Sequence, residues 1–133
     1  MKILMVERSW AICERLLALL DKSGKYVGLG CVSSSPAVLE LVETSRPDAI
    51  LLDLRLDDTD GFQLLELLRS RGLTIPVVML SMSHGWQYRI RAQAAGADAF
   101  LCKCTQFDEI LPTLDHLLAR KGNPVAKRVE AVT

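Results

Sequence analysis

Short apolar runs alternate with amphipathic stretches along this chain. Runs of mostly apolar residues, of the kind that form strands buried on both faces of a sheet, lie at 2–6, 26–31, 49–53, 76–80 and 99–102. Each run is followed by a stretch that is predicted to be helical, near 10–22, 36–46, 62–68, 86–95 and 106–120. In the first of them, apolar residues recur at the spacing of one helical face. Because strand and helix alternate five times, the pattern predicts one α/β domain, a doubly wound (βα)5 unit with a five-stranded parallel sheet.

The third predicted strand ends on a carboxylate, Asp53, and a polar loop follows it. Polar groups also stand at the ends of other strands: Glu7 and Arg8 follow the first, Ser81 follows the fourth and Lys103 follows the fifth. In open α/β sheets, ligands bind in the crevice outside the carboxyl ends of the strands. A carboxylate, a hydroxyl and an ammonium group are therefore predicted to meet at one edge of the sheet.

Composition adds few constraints to this picture. The 133 residues suffice for one domain with its own core, and 16 basic residues balance 16 acidic ones, so no overall charge favours nucleic acid or a membrane. No apolar run approaches the roughly 20 residues that span a bilayer, and no signal peptide is predicted. We therefore expect a cytoplasmic protein. Its cysteines are then expected to be thiols and not a disulfide framework: Cys13, Cys31, Cys102 and Cys104.

The predicted meeting of Asp53, Ser81 and Lys103 suits the transfer of a phosphoryl group to a carboxylate. A carboxylate nucleophile accepts that group as an acyl phosphate, and the transition state needs cations and hydrogen-bond donors around the phosphoryl oxygens. A divalent metal held by carboxylate and carbonyl oxygens usually supplies the remaining charge. Each residue alone is more often a helix cap or a solvated charge, but the three together at matching strand ends favour a site.

At these residues the chain resembles the receiver domains of two-component response regulators, the CheY-like family. The resemblance covers residues 1 to about 120 and rests on three segments in the family's order and spacing: Leu51–Leu56 with Asp60 and Gly61, Val77–Ser81, and Gly96–Lys103. It implies a flavodoxin-like strand order, 2-1-3-4-5, and a signalling domain that is not an enzyme. It also implies roles for four residues: Asp53 is the phosphoacceptor, Ser81 the switch hydroxyl, Phe100 the rotating aromatic and Lys103 the phosphate-binding cation.

Magnesium is the cofactor that the resemblance implies, bound by Glu7, Asp53 and the backbone carbonyl of Arg55. The first strand of the family normally ends in two acidic residues, but here Arg8 follows Glu7. A guanidinium repels a divalent cation, and an ion pair between Arg8 and Asp53 would lower the pKa of that carboxylate. We therefore expect the metal site, and with it Mg²⁺-dependent phosphorylation, to be weakened.

Three further positions depart from the family's pattern. Cys104 stands where proline usually follows the lysine. Since a cis peptide bond before a residue other than proline costs about 2.5–4 kcal/mol, we expect either a trans bond with Lys103 displaced or a strained cis bond. Asp57 stands where the family commonly has proline, in an acidic loop that is expected to be solvated. Met82 stands where the family has a very small residue, and it is expected to crowd the entry of a phosphate. Cys102 and Cys104 are expected to be one packed and one partly exposed thiol.

Partners also follow from the resemblance. It implies a histidine kinase or phosphotransfer protein as phosphodonor, and an effector protein or domain on the face made by the fourth helix, fifth strand and fifth helix. Trp86 and Tyr88 would suit such a surface if exposed, and a homodimer through the last two helices is another form that the family adopts. Residues 1–121 are predicted to be the receiver domain and 122–133 a tail or linker stub, with no membrane contact and no nucleic-acid-binding module.

Two hypotheses about function follow. In the first, phosphorylation of Asp53 adds charge that reorders the face near Phe100. In the second, the chain is a pseudo-receiver, a protein-interaction module that keeps the fold without metal-dependent phosphorylation, as Arg8, Met82 and Cys104 favour. A domain that binds a flavin or nucleotide is a poorer third alternative, because no glycine-rich phosphate-binding motif follows the first strand.

Overall fold

The computed structural model describes residues 1–83 and 85–121, and within them strands and helices alternate as predicted. The strands are β1 (Lys2–Val6), β2 (Val27–Val32), β3 (Ala49–Asp53), β4 (Val77–Ser81) and β5 (Ala99–Cys102). The helices are α1 (Trp10–Ser23), α2 (Ser35–Ser45), α3 (Gly61–Ser70), α4 (Trp86–Ala95) and α5 (Ile110–Lys121), with a 3₁₀ turn at Phe107–Glu109. No helix in this part of the chain is long and apolar enough to cross a membrane. The predicted tail at 122–133 and the loop residue His84 lie outside the described residues.

The sheet is parallel throughout, in the order β2-β1-β3-β4-β5, which is the flavodoxin-like order that the resemblance implied. Alternate side chains point to opposite faces, and each face has its own apolar cluster. One cluster joins the sheet to α1 and α5, and the other joins it to α2, α3 and α4. The central strand β3 is buried along its whole length, so it holds Asp53 rigidly at the carboxyl edge.

Local signals set several helix boundaries. The side chains of Ser9 and Asp60 accept hydrogen bonds from backbone N–H groups in the first turns of α1 and α3, and so cap those helices. The last helix was predicted to begin near 106. It begins at Ile110, which places Pro112 in the first turn, where a missing N–H breaks no helical hydrogen bond.

Cys13 and Cys31 form a disulfide, so the expectation of free thiols was wrong for this pair. Their Cα atoms lie 6.2 Å apart, within the range that a disulfide bridges. The expectation rested on cellular compartment, whereas the bond depends on the packing of α1 against the edge strand β2. Cys102 is buried and Cys104 exposed, both as thiols, as predicted.

Candidate functional site

A cleft of about 870 Å³ opens at the carboxyl edge of the sheet. In the described part of the chain, the buried polar or charged side chains are Glu7, Asp53, Ser81 and Lys103, and all four line this cleft. Buried charges cost free energy unless they are paired and hydrogen-bonded. The four side chains that the strand ends were predicted to bring together therefore do meet, in one place.

Lys103 lies at the centre of this group. Its Nζ is 2.6 Å from Oε2 of Glu7 and 2.9 Å from Oδ1 of Asp53. The described residues contain no cis peptide bond, so the bond to Cys104 is trans, yet Lys103 still reaches both carboxylates. The expected displacement was wrong because the Lys103 backbone N–H donates to the carbonyl of Ser81 at 2.8 Å, which anchors the residue on β4.

Glu7 is a carboxylate held out of water at the end of β1. Burial raises its pKa above the ordinary value, the nearby Asp53 charge raises it further, and the hydrogen bond from Lys103 opposes both effects. A second hydrogen bond, from the backbone N–H of Ser9 at 3.1 Å, holds Oε1. The Lys103 ammonium group thus pairs with two carboxylates, Glu7 and Asp53. The centre of the cleft therefore carries net negative charge when both carboxylates are ionised.

Ser81 and Phe100 lie on adjacent strands, β4 and β5. The Ser81 hydroxyl oxygen accepts a hydrogen bond from the Ser83 backbone N–H at 3.0 Å, which leaves the hydroxyl proton available for donation into the cleft. The Phe100 ring is buried in the cluster under α2, α3 and α4. The guanidinium of Arg89, a residue of α4, lies 5.6 Å from the ring centre. A change in ring position would therefore alter a contact with α4.

Arg8 pairs with Asp57 and not with Asp53, contrary to the expected pairing. Its Nε lies 3.5 Å from Oδ1 of Asp57, and both side chains are more than half exposed, at 52% and 56%. Lys103 already pairs with Asp53, and the Arg8 guanidinium pairs with a carboxylate at the rim instead. Arg8 still lines the cleft and contributes positive charge there.

The acidic loop after β3 is tied to the connection between β2 and α2. The Ser33 hydroxyl donates to Asp57 at 2.5 Å, and the Ser35 backbone N–H donates to Asp58 at 2.9 Å. The Ser35 hydroxyl also donates to Asp58, and these hydrogen bonds lower the pKa of Asp58. Asp57 and Asp58 are exposed, as expected of a solvated loop, and their carboxylates also hold two connections together at the cleft rim.

A divalent metal has a poor set of ligands here. Glu7 and Asp53 each have one oxygen paired with Lys103, and Arg8, which lines the same cleft, adds positive charge that repels a divalent cation. No group of three or more His, Cys, Asp or Glu side chains that could hold a metal occurs within residues 1–83 and 85–121. Carboxylate and carbonyl oxygens are the donors that Mg²⁺ prefers, and in this cleft one oxygen of each carboxylate is already paired with Lys103.

Two residues of α4, Tyr88 and Arg91, line the cleft. The sequence analysis considered Tyr88 only for a partner surface and did not single out Arg91. The Arg91 guanidinium lies 4.4 Å from the centre of the Phe62 ring. Nothing in the sequence separates Arg91 from other arginines on a helix surface, because its position depends on how α4 is rotated against the sheet. Met82 was singled out, and it lies at the rim with 60% of its surface exposed.

Comparison with known proteins agrees with this geometry. A family model described as the response regulator receiver domain matches residues 3–115. The chain is 32% identical over 131 residues to the two-component response regulator PhoP of Pseudomonas aeruginosa, covering 98% of this chain and 57% of that protein. It thus spans about half the length of the curated relatives it matches.

Solved structures with the same fold include two receiver domains. The receiver domain of the putative response regulator NarL from Mycobacterium tuberculosis superposes with a TM-score of 0.80 at 28% identity, covering 92% of this chain and 97% of that one. The receiver domain of the Francisella response regulator 1452 gives a TM-score of 0.83 at 24% identity, covering 90% and 98%. The second likeness is one of fold alone.

Proposed function

Since this chain belongs to the response regulator receiver domain family, we propose that it is a cytoplasmic phosphorylation switch whose phosphoacceptor is Asp53. The observation that carries the proposal is the cleft where Glu7, Asp53, Ser81 and Lys103 converge, with Lys103 Nζ 2.9 Å from the Asp53 carboxylate. An acceptor carboxylate must be held beside a cation and a hydrogen-bond donor. In this cleft the carboxylate of Asp53, the ammonium group of Lys103 and the hydroxyl of Ser81 come from the ends of adjacent strands.

The reaction we propose needs only groups that face the cleft. An Asp53 oxygen attacks the phosphorus of a phosphohistidine or a small phosphodonor, the bond from phosphorus to the leaving group breaks, and an acyl phosphate forms. Lys103 neutralises charge on the phosphoryl oxygens, and the Ser81 hydroxyl donates to one of them. The product adds about −1.5 to −2 of charge beside β4 and β5, and this charge is what would reposition Ser81 and Phe100.

Magnesium is the usual partner of receiver domains, and it would supply positive charge at the phosphoryl oxygens. Here Glu7, Asp53 and the Arg55 carbonyl would hold it, weakly, because Lys103 and Arg8 compete for the same space. The basic residues that line the cleft, Arg8 and Arg91 among them, provide part of that charge without a metal. We therefore propose that phosphorylation depends on Mg²⁺ less steeply than in receivers with two acidic residues after β1.

The output surface we propose is the face made by α4, β5 and α5. Trp86 and Ile90 are exposed on α4 at 68% and 56%, and Tyr88 lies partly exposed between them and the cleft. Exposed aromatic residues are favoured at protein interfaces. The proposed partners are a histidine kinase or phosphotransfer protein as donor, and an effector protein, an effector domain or a second copy of this chain on this face.

A pseudo-receiver is the second candidate, favoured by Arg8 in the metal position and by the Glu7–Lys103 contact that already occupies the cleft. Acetyl phosphate labelling followed by intact mass measurement separates the two candidates. We expect the wild type and Asp57→Asn to form an acyl phosphate and Asp53→Asn to form none, with labelling only partly reduced by EDTA. Absence of labelling in the wild type with or without Mg²⁺, while the fold is intact, would favour the pseudo-receiver.

A further inference from the structure

Three sulfur atoms lie together at the rim of the cleft. Sγ of Cys104 is 3.7 Å from Sδ of Met82, and the Cys104 side chain is also among the groups that lower the pKa of the Cys102 thiol, two residues before it. Sγ of Cys102 in turn lies 3.8 Å from the backbone carbonyl oxygen of Met82. Cys102 is buried, whereas Cys104 and Met82 are exposed, so the cluster is closed towards the sheet and open towards solvent.

The topology explains why these side chains meet. Ser81 and Cys102 are paired in the register of β4 and β5, so the chain segments that follow them leave the sheet side by side. Met82 directly follows Ser81, and Cys104 stands two residues after Cys102, so their sulfur atoms come together where the two strands end.

We propose that Met82, Cys102 and Cys104 form a binding site for a soft monovalent metal ion, with Cu(I) as the expected ligand. Thiolate and thioether ligands select Cu(I) over harder ions. With metal–sulfur bonds of about 2.3 Å, a trigonal site places its sulfur atoms about 4 Å apart, close to the 3.7 Å between Cys104 and Met82. Structural zinc takes four ligands, and no such His, Cys, Asp or Glu cluster exists in the described chain.

The surroundings favour the thiolate form that a metal needs. A hydrogen bond from the Thr105 side chain, aided by the backbone N–H groups of Thr105 and Cys104, lowers the pKa of Cys102. Binding would form two thiolate–copper bonds and one thioether–copper bond. Each thiol loses its proton to solvent, and no electron is transferred. The affinity should therefore rise with pH.

This site would act on the loops that carry the polar groups of the cleft. Met82 follows Ser81 directly, and Cys104 follows Lys103, so a metal that bridges them would clamp the two segments to each other. The proposal is independent of phosphorylation, because none of the three sulfur ligands belongs to the acceptor machinery.

A Cu(I) titration of the full chain against the chelator bicinchoninate, without oxygen and with the two thiols reduced, tests the site. We expect one Cu(I) per chain, binding about 100-fold weaker in Cys104→Ser, and about tenfold weaker in Met82→Leu, which removes the thioether at similar volume. Asp53→Asn and the double variant Cys13→Ser/Cys31→Ser should bind as the wild type does. X-ray absorption of the complex should show three sulfur neighbours.

Several results would overturn the proposal. They are an absence of Cu(I) binding in the wild type, full affinity in Cys104→Ser, loss of binding when the Cys13 and Cys31 pair is replaced, or Zn²⁺ binding tighter than Cu(I) binding. Since Cys104 and Met82 are exposed, their variants should keep the wild-type circular dichroism spectrum. Acyl phosphate formation at Asp53 is measured separately, so failure of one proposal leaves the other standing.

Discussion

Lys103 lies closer to Glu7 than to Asp53, the proposed phosphoacceptor: its Nζ is 2.6 Å from Oε2 of Glu7 and 2.9 Å from Oδ1 of Asp53. The side chains of Glu7 and Lys103 are only 2% and 4% exposed. In such a site solvent screens the pair little. The charge state of Glu7 therefore decides how much of the lysine's positive charge remains for Asp53.

Glu7→Gln should change how stability depends on pH. Burial raises the pKa of Glu7 above 4.5, so the folded chain holds this proton more tightly than the unfolded chain does. The resulting stabilisation is complete below the unfolded pKa and is lost as pH rises through the folded value. Urea denaturation of the wild type and Glu7→Gln should be measured at a series of pH values. As pH rises above 4.5, the free energy of unfolding of the wild type should fall relative to that of Glu7→Gln. Parallel curves would contradict the raised pKa.

Lys103→Met should be strongly destabilising, because it leaves Glu7 and Asp53 as two buried carboxylates without a cation. Removing one partner of a buried ion pair costs about 3–5 kcal/mol. Adding Glu7→Gln to Lys103→Met should restore part of this loss, and a double-mutant cycle measures the coupling. Lys22→Met, at an exposed position of α1, is the matched control and should change the free energy of unfolding by less than about 0.5 kcal/mol.

Arg8→Asp should strengthen Mg²⁺ binding, since it replaces a repelling cation with a carboxylate ligand. Its cost in stability should stay below about 1 kcal/mol, because the Arg8–Asp57 pair is exposed to solvent. Calorimetric titration with Mg²⁺ compares it with the wild type and with Arg71→Asp. The control makes the same charge change at a residue that lines a different pocket. Equal Mg²⁺ affinity in Arg8→Asp and the wild type would show that Arg8 is not what weakens the metal site.

Gly61→Ala should directly disturb β3, the strand that ends at Asp53. A Cβ at Gly61 would lie 2.5 Å from the backbone oxygen of Asp53 and 2.9 Å from Cε of Met79. At Gly28 an added Cβ meets only the ends of flexible side chains. Thermal unfolding should therefore show a loss of about 2–3 kcal/mol for Gly61→Ala and a smaller loss for Gly28→Ala. The reverse order would mean that the start of α3 can move away from Asp53.

Much of the architecture was readable from the chain because apolar runs and strand-end residues carry the signal. Asp53, Ser81 and Lys103 could be placed at one edge from strand order alone. The Cys13–Cys31 bond and the position of Arg91 could not, because both depend on how a helix is rotated against the sheet. The partner of Arg8 could not be predicted for another reason. Arg8 and Lys103 are both cations near Asp53, and only the structure shows that Lys103 is the one that pairs with it.

Both tryptophans of the chain, Trp10 and Trp86, are exposed to the same extent, 68%. An indole already in water changes its emission little when the core comes apart, so intrinsic fluorescence will be a poor reporter of unfolding here, and circular dichroism is the better probe for the stability measurements. Trp86 is instead a built-in optical label on α4. A partner that covers that helix should shift its emission to the blue, and replacing Trp10 with phenylalanine would isolate the signal.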